Sequence, residues 1–164
     1  MITKTNGPVT VHFDNQHSRY RLSGAGLLSL VTMVCRSLRY RRAVFSIVFV
    51  THQAMRRYNL QAFSRRASTD VISFPWRAGQ YDRGLAAYRG DVVICFDQVA
   101  ANARRYTVPV AEECARCVVH GVLHLAGFTD TTAGEKREMV HRQEMLVKRF
   151  MAQGDLRRGL VRCL

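Results

Sequence analysis

Ala43 to Val50 reads AVFSIVFV, a run so dense in β-branched and aromatic residues that it constrains the fold more than any other segment. With almost no polar position to turn toward water, it is expected as a buried strand at the centre of a sheet. Shorter apolar or alternating stretches at Val9 to Phe13, Asp70 to Phe74 and Asp91 to Phe96 supply its neighbours. Helical spacing predicts five helices between and after them. They run from Ser23 to Leu38, through Met55 to Ala62 behind a Thr51 cap, from Asp97 to Arg105, from the Thr107/Pro109/Glu112/Glu113 start to Ala126, and from Thr132 to Met151. Asp97 is expected to cap its helix, and Met139, Met145, Leu146, Phe150 and Met151 to form the apolar face of the last one. The cluster Arg39 to Arg42 closes the first helix, Ser64 to Ser68 is a basic loop, and Arg77 to Gly90 reads as a loop or hairpin excursion. The expectation is an α+β domain over residues 1–152, with a small mixed four-stranded sheet packed against about five helices. QGDLRRGLVRCL, residues 153–164, is expected as a basic C-terminal tail.

Charge narrows the class of partner. The net charge is +13 and comes almost wholly from arginine, whose planar fork matches phosphate oxygens. A polyanion is implied, and nucleic acid fits better than a membrane because no long basic amphipathic helix dominates the pattern. No apolar run is long enough to cross a bilayer, and MITKTNGPVTVHF lacks the apolar core of a signal peptide, so a cytoplasmic location is expected. Five cysteines, at 35, 95, 114, 117 and 163, lie mostly in apolar periodic segments and read as reduced core thiols, the Cys114/Cys117 pair included.

The chemistry concentrates in HGVLHLAGFTD, His120 to Asp130. Four residues apart on a helix, His120 and His124 present two nitrogens to one point in space. Gly127 is placed to end that helix and let the chain turn back, so Asp130 can bring a carboxylate to the same point. Three protein ligands leave one coordination position open, the arrangement of catalytic rather than structural zinc. HExxH peptidases carry their general base directly after the first histidine, and here that residue is Gly121. Two histidines and one carboxylate also suit mononuclear iron, so zinc is favoured without being the only fit.

HGVLHLAGFTD resembles the signature of the YbeY family, bacterial rRNA maturation factors described as metal-dependent endoribonucleases. STDVISFPW at Ser68 to Trp76 and RGDVVICFDQVAANA at Arg89 to Ala103 resemble two further family segments, in the family's order. The resemblance implies a divalent ion, most simply Zn²⁺, at His120, His124 and Asp130, the last standing where the family most often has histidine. It implies phosphodiester cleavage in maturation of the 16S rRNA 3′ end and in ribosome quality control. The partners implied are rRNA or the small ribosomal subunit, with ribosomal or GTPase proteins beside them. Before the TDV segment the family pattern is roughly YRxKD, whereas this chain has Phe63 in place of the arginine and Arg65 in place of the lysine.

No side chain is given a catalytic role beyond the metal and its bound water, and Glu113 is read as a first-turn acid that favours the helix dipole. Arg65 and Arg66 are the candidate contacts for substrate phosphate. Asp70 is expected to order its turn, and Ser73 to face the site from the strand. Two alternatives stand beside the nuclease: an RNA- or ribosome-binding assembly factor with a structural metal, and another metallohydrolase or iron enzyme on the same ligands.

Overall fold

The computed structural model describes residues 1–40, 42–76, 88–154 and 160–163. β1 (Ile2–Asn6) and β2 (Val9–Asn15) form a hairpin through Gly7, whose φ of +56° is left-handed and costs glycine nothing. β3 (Tyr20–Leu22) leads into α1 (Gly24–Ser37), where the Ser23 hydroxyl accepts from the Gly26 amide as N-cap. β4 (Ala43–Val50) follows, then α2 (His52–Phe63), capped by Thr51. β5 (Val71–Pro75) and β6 (Tyr88–Cys95) precede α3 (Phe96–Arg105), α4 (Val110–Leu125), α5 (Ala133–Met151) and β7 (Val161–Cys163).

β4 is the middle strand of a mixed sheet ordered β1-β2-β4-β6-β5, parallel to both neighbours, with the antiparallel pairings at the edges. Its Phe45, Ile47 and Phe49 face a core completed by α1, α3, α4 and α5. Its other face is covered by α2, where Met55 meets Val50, Ile72, Val93 and Cys95. That second layer is small, and β2 alternates accordingly, with Val9, Val11 and Phe13 buried and Thr10, His12 and Asp14 only partly covered.

Among the described residues the α+β class, the mixed sheet and the five helices match the expectation, but the main sheet has five strands, not four. The additional strand is β1, ITKTN, exposed along its whole length. It is held by backbone pairing at an edge, so it carries no apolar period to betray it. Residues 153–164 are not a free tail at their end. Val161–Cys163 pairs with β3 in a separate two-stranded sheet and Leu160 is fully buried, while residues 155–159 lie outside the described residues. Of the expected excursion at 77–90, residues 77–87 also lie outside them, and Tyr88 to Gly90 already belong to β6. The same holds for Arg41 in the cluster after α1.

Two expected caps do other work. Thr107, at φ +55°, sits in the turn that ends α3, and α4 begins instead at Pro109, whose carbonyl accepts from the Glu112 and Glu113 amides. Asp97 is the second residue of α3 and makes no cap bond. Its carboxylate accepts from the His52 amide at 2.8 Å and meets buried His17 Nε2 at 3.0 Å, tying α3 to α2 and to the loop after β2. On α5, Met139, Leu146 and Phe150 are buried as expected, but Met145 is 49% exposed, one position off the buried stripe. Among the described residues no helix is long and apolar enough to cross a membrane.

Candidate metal centre

α4 carries the site and is buried almost all round, because it lies between the sheet and α5. Gly121 makes the close approach to the sheet possible. A Cβ there would stand 2.6 Å from Val92 Cγ1 and 3.2 Å from Ser73 Oγ, and the Ser73 hydroxyl donates to the Gly121 carbonyl at 3.1 Å. The glycine after the first histidine is thus a packing requirement, and the glutamate of an HExxH site has no room there. Ser73 faces α4 as the strand alternation implies.

The end of α4 is built by a paired C-terminal motif. Gly127, at φ +86°, donates its amide to the His124 carbonyl at 3.0 Å, and Phe128 donates to the Leu123 carbonyl at 3.1 Å. This reversal brings the Phe128 carbonyl back over His124, whose Nδ1 lies 3.0 Å from it. It also returns Asp130 to the histidines, so that ligand atoms of His120, His124 and Asp130 all fall within 4.8 Å of one another. Both imidazoles are half-buried and the carboxylate is exposed.

The hydrogen bonds around the two rings settle which nitrogens are free. His120 Nδ1 lies 2.9 Å from Gln143 Oε1, and Gln143 Nε2 lies 3.0 Å from Glu144 Oε1. A carboxylate can only accept, so the Gln143 amide must turn its nitrogen to Glu144 and its oxygen to His120. His120 therefore donates from Nδ1, and His124 donates from Nδ1 to the Phe128 carbonyl. Both Nε2 atoms are left with lone pairs, and they face each other 3.0 Å apart. Two nitrogens bound at about 2.0 Å to a tetrahedral ion stand roughly 3.3 Å apart, close to the observed separation. Without a cation two lone pairs at that distance repel. The donor set fits a divalent ion on this geometry, with Asp130 as third ligand. Burial, then the neighbouring His124, push the His120 imidazolium below its ordinary range, which keeps the ring in the neutral form that ligates.

Behind His120 lies an ion-pair network that the sequence did not disclose. Arg116 donates from Nε to Glu144 at 2.8 Å, from an Nη to Glu112 at 2.9 Å, and from the other Nη to Glu113. Glu113 is 3% exposed, so it is not the solvated dipole acid that its first-turn position implies but one of three carboxylates around a single guanidinium. Arg116 holds the Glu144 carboxyl below its usual range against the opposing effect of burial. The network fixes Gln143, and Gln143 fixes His120. A signal for Gln143 was present: 139, 143, 146 and 150 form one helical stripe, and only 143 is polar.

A cavity of about 130 Å³ beside His120 is lined by Asp70, Val71, Glu113, Arg116, Cys117 and Gln143. Asp70 orders its turn, accepting from the Val71 amide at 2.9 Å, and it also borders this cavity. Cys114 and Cys117 are buried with thiols pushed up by desolvation, which fits core packing and not ligation. Arg65 and Arg66 do not line the cavity. Both are exposed in the loop after α2, and Arg66 borders a separate depression of about 440 Å³ with His52, Arg56 and Ser68. Phe63 is 51% exposed, with its ring stacked on Phe74 at 6.3 Å between centroids.

Comparison with known proteins agrees with this geometry. Residues 13–151 match the family model described as Endoribonuclease YbeY. The chain is 33% identical to Endoribonuclease YbeY of Tropheryma whipplei, over 78% of this chain and 76% of that one. It is 29% identical to Endoribonuclease YbeY of Chlorobium luteolum, over 81% of this chain and 93% of that one. A Thermotoga maritima protein solved in solution has the same fold, with a TM-score of 0.60 at 21% identity, covering 87% of this chain and 90% of that one.

Proposed function

Because the chain belongs to the endoribonuclease YbeY family, we propose that it is a metal-dependent endoribonuclease that cleaves phosphodiester bonds of ribosomal RNA, at the 3′ end of the 16S species and in ribosome quality control. One observation carries this reading: two imidazole Nε2 lone pairs face each other at 3.0 Å beside a carboxylate, with both Nδ1 protons held elsewhere.

His120, His124 and Asp130 hold one divalent ion, and zinc fits the donor set and spacing. A bound ion would supply Lewis acidity, polarising a phosphoryl oxygen or acidifying a water. Gln143 and the Phe128 carbonyl hold the ring protons on Nδ1, which leaves both Nε2 lone pairs free to ligate. The Asp130 carboxylate offsets one unit of the ion's charge, which a neutral histidine would not do. Arg65 and Arg66 lie a few residues before Asp70 and meet backbone phosphates flanking the cleaved bond, not the bond itself. The small ribosomal subunit, with ribosomal or GTPase proteins, is the setting in which the substrate is presented, and the cytoplasm is the compartment.

Zinc-loaded protein incubated with an RNA carrying the 16S 3′ end should cut it, and His120→Ala and His124→Ala should not. Cleavage persisting in both variants rejects the assignment. A second reading, an rRNA-binding assembly factor with a structural metal, is favoured by Phe63, which stacks on Phe74 where the family pattern has arginine. Stoichiometric metal and tight rRNA binding without cleavage by the unmodified protein would select it.

A further inference from the structure

Thr32 is 5% exposed in the middle of α1, and its hydroxyl has no hydrogen-bond partner, alone in this among buried side-chain polar atoms of the described residues. A threonine inside a helix ordinarily returns its hydroxyl to a carbonyl of the preceding turn. The residue borders a cavity of about 290 Å³, formed where the ends of α1 and α5 meet the end of β1, but its hydroxyl oxygen is closed off from that space. Arg36 from the last turn of α1 and Arg149 from the last turn of α5 line the same cavity, with Ser29, Asn6 and Gln153. No carboxylate lines it, and among the described residues neither guanidinium has an acidic partner.

We propose that this cavity is a phosphate-binding site, with Arg36 and Arg149 as its cations. A basic residue in the last turn of a helix is ordinarily explained by the helix dipole, and each arginine taken singly could be explained so. The dipole does not explain why two of them, more than a hundred positions apart in sequence, line one polar cavity that no carboxylate borders. The terminal carbonyls of both helices disfavour an anion, and two full positive charges outweigh their partial ones. A tetrahedral oxyanion offers acceptors in several directions at once, which suits two guanidinium forks arriving from different helices better than a planar carboxylate does. Arg149 lies six residues beyond Gln143 on α5, about 9 Å of helix rise, so the cavity stands apart from the histidine cluster.

The phosphate can belong to an RNA backbone or to a free phosphomonoester. The backbone source rests on the ribonuclease reading, whereas the phosphate chemistry does not. The test is a titration of zinc-loaded protein with inorganic phosphate, uridine 5′-monophosphate and a short single-stranded RNA, following the arginine Nε–H signals by NMR. It is repeated on Arg36→Gln/Arg149→Gln, with thermal midpoints recorded. At least one ligand should move the Arg36 and Arg149 signals, and the double variant should bind that ligand roughly tenfold more weakly. If RNA is the ligand, the slope of log affinity against log salt should fall by about 0.7 for each arginine–phosphate pair removed. A response to RNA alone identifies the backbone source, and a response to the small phosphates with unchanged RNA affinity identifies the free one. Signals unmoved by all three ligands, with RNA affinity and salt slope unchanged in the double variant, overturn the proposal. A protein that cuts no RNA yet answers to phosphate at these arginines would fail the nuclease reading and keep this one.

Discussion

Replacing Gln143 with leucine separates the metal reading from simple packing. Gln143 is 7% exposed and accepts the His120 Nδ1 proton at 2.9 Å. Leucine fills similar volume and removes only that acceptor and the bond to Glu144, which Arg116 continues to satisfy. An orphaned buried donor costs about 1–3 kcal/mol. In the metal-free variant, however, His120 can move its proton to Nε2 and donate to the facing His124 Nε2, 3.0 Å away. Metal-free stability should therefore fall by no more than about 1–2 kcal/mol, because the orphan is relieved by the new bond. The ion must then displace that proton, and zinc affinity should fall 10- to 100-fold, about 1.4–2.7 kcal/mol. Competition with a chromogenic chelator measures the affinity, urea unfolding of metal-stripped protein measures the stability, and imidazole ¹⁵N shifts report the tautomer. Zinc affinity within twofold of the unmodified protein, alongside a large loss of metal-free stability, would refute the reasoning and leave Gln143 a packing residue.

Asp130→Ala should lose most bound zinc by metal analysis, whereas Asp130→His should keep it, because the third donor is restored at about the same bond length. Gly121→Ala should destabilise the fold by about 1–2 kcal/mol in urea, since overpacking against Val92 and Ser73 outweighs the helix propensity gained, and a more stable variant would contradict the packing role. Burial and His124 set the His120 pKa below its unfolded value, so unfolded chains bind the extra proton first. The stability of metal-stripped protein should be full above about pH 6.5 and fall as pH drops toward the lowered folded value, with a shallower slope in His120→Gln. Arg116→Met should destabilise by about 3–5 kcal/mol in thermal or urea unfolding, because it leaves the buried Glu113 carboxylate without its cation; a loss under 1 kcal/mol would show that the network is screened by solvent.

Much of the architecture is legible in local patterns. AVFSIVFV has one environment in which it can be buried, and it is the middle strand. Ser23, Thr51 and Thr132 cap the helices they precede, Thr132 in a reciprocal box with Glu135. These are short-range effects, decided by side chains within a few residues of the backbone groups they satisfy. β1 was not legible, because an exposed edge strand is held by backbone pairing that any polar sequence can supply. Thr107 and Asp97 misled for the opposite reason: each has the right chemistry for a cap, and each is taken up by a neighbour, the α3 turn in one case and His17 with His52 in the other.

The site divides along the same line. The spacing of His120, His124, Gly127 and Asp130 follows from helix pitch and glycine's access to left-handed φ, so their convergence could be foreseen from eleven consecutive residues. Which nitrogen each ring turns into the cluster could not, because the Nδ1 protons are directed by Gln143 from another helix and by a carbonyl that the turn folds back. Arg116 and its three carboxylates, the packing that requires Gly121, and the cavity beside Thr32 likewise join segments far apart in sequence. Local sequence determined the helix, its end and the donor types of the cluster, since those depend on neighbours along the chain. Tertiary packing alone decided tautomer, burial and surrounding charge, since those depend on neighbours in space.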